Sequence, residues 1–146
     1  MCSINRRSSN LQTLDFATND WYVYRGQVTG YRFRLHRRDL PGAPDVALSG
    51  RKIAIFVHGC FWHMHAGCRN AKLPSTRAAF WRAKLEGNVE RDRRAIEALQ
   101  SSGWRVLTCW ECATRDAEIA AAMPVALGEW IEGGDALGEI SAAKPG

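Results

Sequence analysis

The sequence lacks any apolar run near the roughly 20 residues that are needed to span a bilayer, although 46% of its 146 residues are hydrophobic. The N-terminal residues MCSINRRSSNLQ also lack the apolar core of a signal peptide. We therefore expect a cytoplasmic protein with no membrane partner. In a reducing cytoplasm, five cysteines indicate metal ligands or buried thiols rather than disulfides.

Internal repeats and domain linkers are also absent from the sequence. A length of 146 residues is typical of one domain with a real hydrophobic core. We therefore predict a single domain over residues 1–146, and we expect residues 134–146 to form a flexible tail.

Acidic residues are scarce in most of the chain. Residues 1–116 contain 19 Lys and Arg against 10 Asp and Glu, whereas residues 117–146 contain one Lys against five acids. A basic body with an acidic tail is typical of proteins that bind a polyanion such as nucleic acid. A soluble protein with a moderately high isoelectric point has the same composition, so charge alone leaves both interpretations open.

The hydrophobic pattern predicts alternating strands and helices, and therefore an α/β fold. The predicted strands cover residues 31–37, both sides of a Ser49-Gly50 hairpin turn, and residues 104–112; the predicted helices cover 75–87, 88–103 and 117–133. Gly87 is expected to end the first helix, and Pro124 to interrupt the last one. The apolar strand 53–57 is expected to lie in the centre of the sheet.

The segment VHGCFWHMHAGC, residues 57–68, concentrates histidines, cysteines and aromatic residues. Cys60, His65 and Cys68 follow the spacing C-x4-H-x2-C, which lets one loop wrap three ligands around a metal ion. The alternative is a set of separate buried cysteines and surface histidines, but three ligands within nine residues favour a metal site.

A structural zinc site needs a fourth ligand, and Cys112 is the best candidate. It ends a predicted strand that can run beside strand 53–57, so its thiolate would reach the same sheet edge. Cys109 is the competing candidate, but we expect it to point from the opposite face of that strand. Cys2 has no metal-binding residue near it in the sequence.

A closed Cys3His site leaves His58 and His63 free for acid–base chemistry near neutral pH. The predicted hairpin brings Asp45 close to the end of strand 53–57. A carboxylate beside a strand-end carbonyl and two imidazoles can bind Mg²⁺ for phosphodiester cleavage. Asp45 has an equally good interpretation as a turn-capping residue after Pro44.

Phe61 and Trp62 lie in the ligand-rich loop, and Trp81 follows in the next predicted helix. Aromatic residues on a basic face can stack on bases or wedge between them. Core packing is the more common role for any single aromatic residue. Two adjacent aromatic residues in one metal-bound loop cannot easily both be buried, so we expect one of them to point outward.

Five segments, in this order and spacing, closely resemble the very-short-patch repair (Vsr) DNA mismatch endonucleases: LPGAPD, FVHGCFWHMHAGC, PSTRAAFW, GNVERDRR and GWRVLTCWEC. The resemblance covers about residues 30–116. It implies a fold like that of type II restriction endonucleases, with a mixed central sheet flanked by helices and a structural zinc. It also implies Mg²⁺-dependent nicking of DNA on the 5′ side of the T in a T·G mismatch, which arises from deamination of 5-methylcytosine.

The same resemblance implies roles for individual residues. Asp45 matches the Mg²⁺-binding carboxylate, and the backbone carbonyl of Val57 would also bind Mg²⁺. The matches to the two catalytic histidines are His58 and His63. The matches to the zinc ligands are Cys60, His65, Cys68 and Cys112. The matches to the aromatic wedge and to the base contacts are Phe61, Trp62, Trp81, Lys84 and Asn88.

The N-terminal segment departs from the family pattern. The family has a basic N-terminal helix that enters the minor groove and then a helix with a Glu near the active site. Here no Glu precedes residue 86, and residues 1–29 are divergent, with Asn19 or Asp20 near the Glu position. The departure puts catalytic efficiency in doubt, and it does not affect the fold.

Three function classes follow from the sequence. We favour a mismatch-specific nicking endonuclease, a monomer in the bacterial cytoplasm that joins the nucleoid when it binds DNA and that can work with mismatch-repair proteins. The alternatives are a nuclease of the same fold with another DNA specificity, and a zinc-stabilised DNA-binding protein that has lost activity through its N-terminus. The presence of Asp45, His58 and His63 argues against the last.

Overall fold

Five strands form one mixed sheet in the computed structural model, which describes residues 33–143. The strands are β1 (Arg34–Leu35), β2 (Val46–Leu48), β3 (Ile53–His58), β4 (Arg105–Trp110) and β5 (Leu137–Ile140), and they lie in that order across the sheet. The first three are antiparallel neighbours, whereas β3–β4 and β4–β5 are parallel. The predictions of a Ser49-Gly50 hairpin and of a central apolar strand are therefore confirmed.

Three α-helices accompany the sheet in the described part of the chain: α1 (Ala78–Ser101), α2 (Glu111–Arg115) and α3 (Ala117–Glu132). The alternation of side chains along each strand separates two hydrophobic faces. On one face, Ile53 and Ile55 belong to a cluster with Met123 of α3. On the other face, Ala54 and Phe56 cluster with Leu99 of α1. The predicted α/β fold, a mixed sheet flanked by helices, is confirmed.

The predicted break at Gly87 is wrong, because α1 runs without interruption from residue 78 to residue 101. One glycine inside a helix costs only about 1 kcal/mol relative to alanine. Leu85 and Leu99, which lie on either side of it, are both fully buried. Burial of the two leucines offsets that cost and keeps the helix continuous.

The predicted interruption at Pro124 is also wrong, since Pro124 lies inside the continuous helix α3. Proline removes one backbone hydrogen bond from a helix interior. Met123, Leu127 and Ile131 are buried against the sheet before and after this point. Their packing holds the helix together where the sequence alone favours a break.

Two other boundaries need correction. Strand β4 ends at Trp110, and Cys112 lies in helix α2 rather than in the predicted strand 104–112. A flexible tail from residue 134 is wrong for residues 137–140, because β5 pairs with β4 over four residues. Four residues are too short a segment to indicate a strand in the sequence, and β5 is recognised by its pairing with β4.

Some predictions concern residues outside the described range. Cys2, the divergent segment 1–29 with Asn19 and Asp20, and the first two residues of the predicted strand 31–37 lie there. Within the described residues, no helix is both long and apolar enough to cross a membrane.

Arg105, at the start of β4, links the sheet to the C-terminal end of α3 through hydrogen bonds. The Arg105 guanidinium donates hydrogen bonds to the carbonyls of Trp130 and Ile131, at 2.7 and 2.9 Å. It also lies 4.4 Å from the centroid of the Trp130 ring. Trp130 in turn packs over Gly138 of β5, where only a residue without a side chain leaves room for the indole.

We predict that Gly138→Ala destabilises the protein by about 1–3 kcal/mol, which is the usual cost of overpacking. A Cβ atom at this position would lie 2.3 Å from Trp130 Nε1, so the indole would have to move. Gly128→Ala is the control, because a Cβ there meets nothing within 4 Å. It should raise stability by about 0.5–1 kcal/mol, as glycine-to-alanine changes in helices do. Denaturant unfolding of both variants measures the difference, and equal effects would contradict the packing argument.

Candidate functional site

The carboxyl ends of β3 and β4 create the candidate site. The two strands are parallel and in register, with His58 opposite Trp110. The loop after β3 and helix α2 after β4 therefore emerge at the same edge of the sheet. A cavity of about 420 Å³ lies next to this edge, and its lining includes Asp45, Val57, His58, His63 and Asp92.

Asp45 reaches the cavity from the residue before β2. Its Oδ2 accepts a hydrogen bond from the Val57 backbone N–H at 2.7 Å. Burial raises the pKa of Asp45, so a nearby cation would favour its charged form. A residue in an extended strand directs its N–H and C=O to the same side. The Val57 carbonyl therefore points toward Asp45, and the two groups can supply hard oxygen ligands to one cation.

His58 and His63 form a stacked pair beside this carboxylate. Their ring centroids are 3.8 Å apart, and the ring planes are 4° from parallel. His58 is buried, and desolvation together with the neighbouring His63 lowers its pKa to about 4. The lowered pKa keeps the His58 imidazole neutral at pH 7.

Asp92 completes the group, and sequence reasoning missed it. Its Oδ2 lies 2.5 Å from His63 Nδ1, and both side chains are partly buried. Asp92 falls in the apolar stripe of α1, three residues after Val89 and four before Ile96. An acid within a core-facing stripe is the sequence pattern that could have identified it.

The stacked histidines and Asp92 do not form a second metal site, although their ligand atoms lie within 4.8 Å of one another. A metal ion binds in the plane of an imidazole ring, about 2.0–2.1 Å from its nitrogen. The two parallel ring planes are separated by several ångströms, so one ion cannot lie in both. The stacked placement therefore does not favour chelation of a single ion by both histidines.

A separate cluster contains the predicted metal ligands. One ligand atom from each of the four residues lies within 4.8 Å of the others, and the residues are Cys60, His65, Cys68 and Cys112. Tetrahedral zinc with bonds of 2.0–2.3 Å separates its ligand atoms by about 3.5–3.8 Å. The distance from Cys112 Sγ to His65 Nδ1 is 3.6 Å. The donor set and its spacing therefore fit a tetrahedral metal ion.

Cys109, the competing fourth ligand, is placed elsewhere. It is buried in the hydrophobic cluster on the α3 face of the sheet. Cys112 is brought to the metal cluster by helix α2, which turns the chain back directly after β4. Cys112 thus lies in the cluster as predicted, but it is carried by a helix and not by the end of a strand.

The end of β5 closes the cluster from the other side. Ser141 Oγ lies 3.1 Å from His65 Nε2, and the Ala142 N–H donates to Cys112 Sγ at 3.4 Å. The Trp110 ring stacks on His65 at 3.9 Å between centroids. Such outer partners fix the orientation of metal ligands. The segment that was expected to be a flexible tail therefore contributes to the site.

The three predicted wedge residues form one aromatic cluster, namely Phe61, Trp62 and Trp81. The centroids of Phe61 and Trp81 are 5.7 Å apart, and those of Trp62 and Trp81 are 6.0 Å apart. Trp62 is 48% exposed, whereas Phe61 and Trp81 are partly buried. The prediction that one of the two adjacent loop residues points outward is confirmed for Trp62.

The two predicted base-contact residues lie on α1 near this cluster. Asn88 Nδ2 donates to the Trp62 carbonyl at 3.0 Å, so Asn88 ties the loop to the helix. Lys84 is exposed one turn earlier. The structure therefore places both residues beside the aromatic cluster.

Comparisons with known proteins give consistent matches. The family model described as DNA mismatch endonuclease Vsr matches residues 24–69. The DNA mismatch endonuclease Vsr of Escherichia coli is 43% identical over 141 residues, which cover 92% of this chain and 88% of that enzyme. The type II nicking enzyme V.XorIIP of Xanthomonas oryzae is 53% identical over 87 residues, or 60% of this chain and 63% of that protein. The type II nicking enzyme V.NmeAIP of Neisseria meningitidis is 36% identical over 90 residues, or 62% and 64%.

The matched part of the chain thus spans most of the Escherichia coli enzyme and slightly less than two thirds of each of these two nicking enzymes. All three relatives are named as endonucleases or nicking enzymes. Their names support a DNA endonuclease activity for this chain.

Proposed function

Because the chain belongs to the Vsr family of DNA mismatch endonucleases, we propose that it nicks double-stranded DNA 5′ to the T of a T·G mismatch. Such mismatches arise when 5-methylcytosine is deaminated, and the nick would start very-short-patch repair. The observation that carries the proposal is the position of Asp45, His58, His63 and Asp92 in one cavity, a few residues from an exposed tryptophan.

Asp45 and the Val57 carbonyl would hold Mg²⁺, since both offer the oxygen ligands that this cation prefers. When bound, such a cation would supply positive charge that stabilises the reacting phosphate and activates a water molecule. With Asp92 accepting from the His63 Nδ1–H, Nε2 is the ring nitrogen that would take up and release a proton. His58 is kept neutral by burial, so the stacked pair would carry at most one positive charge when His63 is protonated.

Zinc is the metal that best suits the cluster of three thiolates and one imidazole. Four protein ligands leave no open position for substrate, so the proposed role is structural. The zinc would hold the loop that carries His63, Phe61 and Trp62. Recognition and chemistry would therefore share one rigid segment.

A second candidate is an endonuclease of the same fold with another DNA specificity. The matches to type II nicking enzymes support it, because those names specify nicking and not a mismatch. Nicking assays on T·G and matched duplexes with varied flanking sequences separate the two candidates. The proposal further includes T·G-containing DNA as the partner of a monomeric enzyme at the bacterial nucleoid, and mismatch-repair proteins as further partners.

We predict that Asp45→Asn lowers Mg²⁺-dependent nicking by about 10²–10³-fold, because metal stabilisation of a developing charge contributes several kcal/mol. DNA binding should persist, since basic residues make the phosphate contacts. Asp39→Asn is the matched control, because Asp39 is exposed and paired with Arg37 away from the cavity. Nicking by Asp45→Asn at the wild-type rate would show that the cavity is not the active site.

We predict that Trp62→Ala lowers nicking of T·G duplexes by about 5- to 150-fold, since base–aromatic stacking is worth roughly 1–3 kcal/mol. A T·G pair stacks less well than a Watson–Crick pair, so inserting an aromatic ring beside it costs less. Trp104→Ala is the control, because Trp104 packs against the α1-side core. The control should lower the melting temperature and leave the ratio of T·G to matched nicking unchanged. A Trp62→Ala variant that behaves in the same way would contradict the wedge.

We predict that Cys112→Ala loses most of the bound zinc and melts at a lower temperature, because metal binding is coupled to folding. Cys109→Ala removes a buried thiol of the same size but should keep one zinc per chain. Metal analysis by mass spectrometry and thermal unfolding of the two variants make the comparison. Full zinc occupancy in Cys112→Ala would remove Cys112 from the ligand set.

A further inference from the structure

We propose that Arg77, held over the ring of Phe80, contacts a backbone phosphate of the DNA duplex beside the aromatic cluster. Phe80 is then a positioning residue that acts through Arg77. This inference rests on the proposed function, and it adds two residues to the DNA-binding surface. The two residues would serve a contact to the DNA backbone, which sets the position of the protein along the duplex, and would not read the bases.

Phe80 extends the aromatic cluster toward the start of α1. Its ring centroid lies 5.4 Å from that of Trp81, with an interplanar angle of 81°. Phe80 is 46% exposed, almost as much as Trp62. Isolated exposed apolar residues are ordinary on protein surfaces. Phe80 differs from them because it is continuous with the cluster and because a cation lies over its face.

That cation is Arg77, whose guanidinium carbon lies 4.3 Å from the Phe80 ring centroid. A guanidinium stacked on an aromatic ring keeps its N–H groups available around its edge, where they match the oxygens of a phosphate. Arg93, Arg94 and Arg115 all form ion pairs with glutamates. Within residues 33–143, Arg77 has no acidic partner among the ion pairs, so its charge is available to DNA.

The backbone of Arg77 also supports a specific role. Arg77 has a φ of 55° and a ψ of 42°, in the left-handed region. This conformation costs a residue with a side chain roughly 1–2 kcal/mol, and glycine adopts it freely. An arginine at this position places its guanidinium over the Phe80 ring, although the left-handed backbone conformation lowers the stability of the fold.

The helical spacing joins Arg77 to the proposed active site. Residues spaced alternately by four and three positions lie on one face of a helix with 3.6 residues per turn. One face of α1, extended by the residue just before the helix, carries Arg77, Trp81, Lys84, Asn88 and Arg91. Arg91 also lines the cavity of Asp45 and the stacked histidines. The stripe spans 14 residue-to-residue steps, or about 21 Å along the helix, which is about six base pairs of DNA at 3.4 Å each. Its two ends are cations, so a phosphate is the chemically matched occupant at the Arg77 end.

The test is DNA affinity as a function of salt, measured without Mg²⁺ on T·G and matched duplexes. For B-DNA, the slope of log affinity against log salt falls by about 0.9 for each phosphate contact that is lost. Arg77→Ala should therefore flatten the slope by about 0.9 on both duplexes. Between 50 and 200 mM salt, its affinity should fall about 3.5-fold less than that of the wild type.

Arg51→Ala is the control, since it removes the same charge from the residues just before β3, where Arg51 pairs with Glu132 at the opposite end of the strand from His58. Its slope should stay close to that of the wild type. Phe80→Leu keeps an apolar side chain but removes the ring face, so it should flatten the slope in part. In the Arg77→Ala background, Phe80→Leu should change the slope no further, because Phe80 acts through the arginine.

Equal slopes for Arg77→Ala and Arg51→Ala would overturn the phosphate contact. An effect of Phe80→Leu that persists without Arg77 would overturn the positioning role and make Phe80 a direct DNA contact. Melting temperatures within a few degrees of the wild type establish that the variants fold. This binding experiment does not depend on nicking. If the wild type fails to nick T·G duplexes in a separate assay, the proposed function is refuted and the slope result stands.

Discussion

The parallel pairing of β3 with β4 is the constraint on which the rest of the structure depends. Six residue pairs hold these strands in register, from Ile53 opposite Arg105 to His58 opposite Trp110. Parallel strands end at the same sheet edge, so the loop after His58 and the helix after Trp110 are forced together. A metal cluster with ligands 44 residues apart in the sequence, Cys68 and Cys112, follows from this register. A shift by one residue would turn His58 to the other face.

Side chains alternate along β3, so the two faces of the sheet pack against different helices. Ile53 and Ile55 point toward α3, which closes a purely apolar core. Ala54, Phe56 and His58 point toward α1, where the apolar residues give way to His58 at the strand end. Because α1 crosses this same face, it can present Asp92 to the histidines. The cavity-lining group is therefore the polar end of an otherwise hydrophobic interface.

The sequence predicted most of what local patterns determine. The ligand spacing predicted that Cys60, His65 and Cys68 come together, as they do. The predicted hairpin brings Asp45 to Val57, as the 2.7 Å hydrogen bond confirms. What failed depended on tertiary packing. Gly87 and Pro124 are local helix breakers, but buried leucines and Met123 hold those helices together.

Strand β5 could not be identified from local patterns for a related reason, and the local patterns around Asp92 give opposing indications. Leu137–Ile140 is a short segment whose strand conformation depends on pairing with β4. Asp92 lies among charged residues, in the run ERDRR, where an acid normally indicates a solvated surface. Only the fold reveals that its neighbours Glu90 and Arg93 face solvent while Asp92 meets His63.

Ligand chemistry explains how one twelve-residue segment, 57–68, can serve two different metals. The proposed Mg²⁺ site offers a carboxylate and a backbone carbonyl, which are hard ligands that bind zinc less well than sulfur does. The Cys3His cluster offers thiolates, which Mg²⁺ does not favour. His58 and His63 lie between the proposed Mg²⁺ site and the Cys3His cluster. Their rings are stacked in parallel planes, so the two histidines cannot bind one shared ion. In the proposed arrangement, the stack would keep the two metals apart and leave both imidazoles available to move protons.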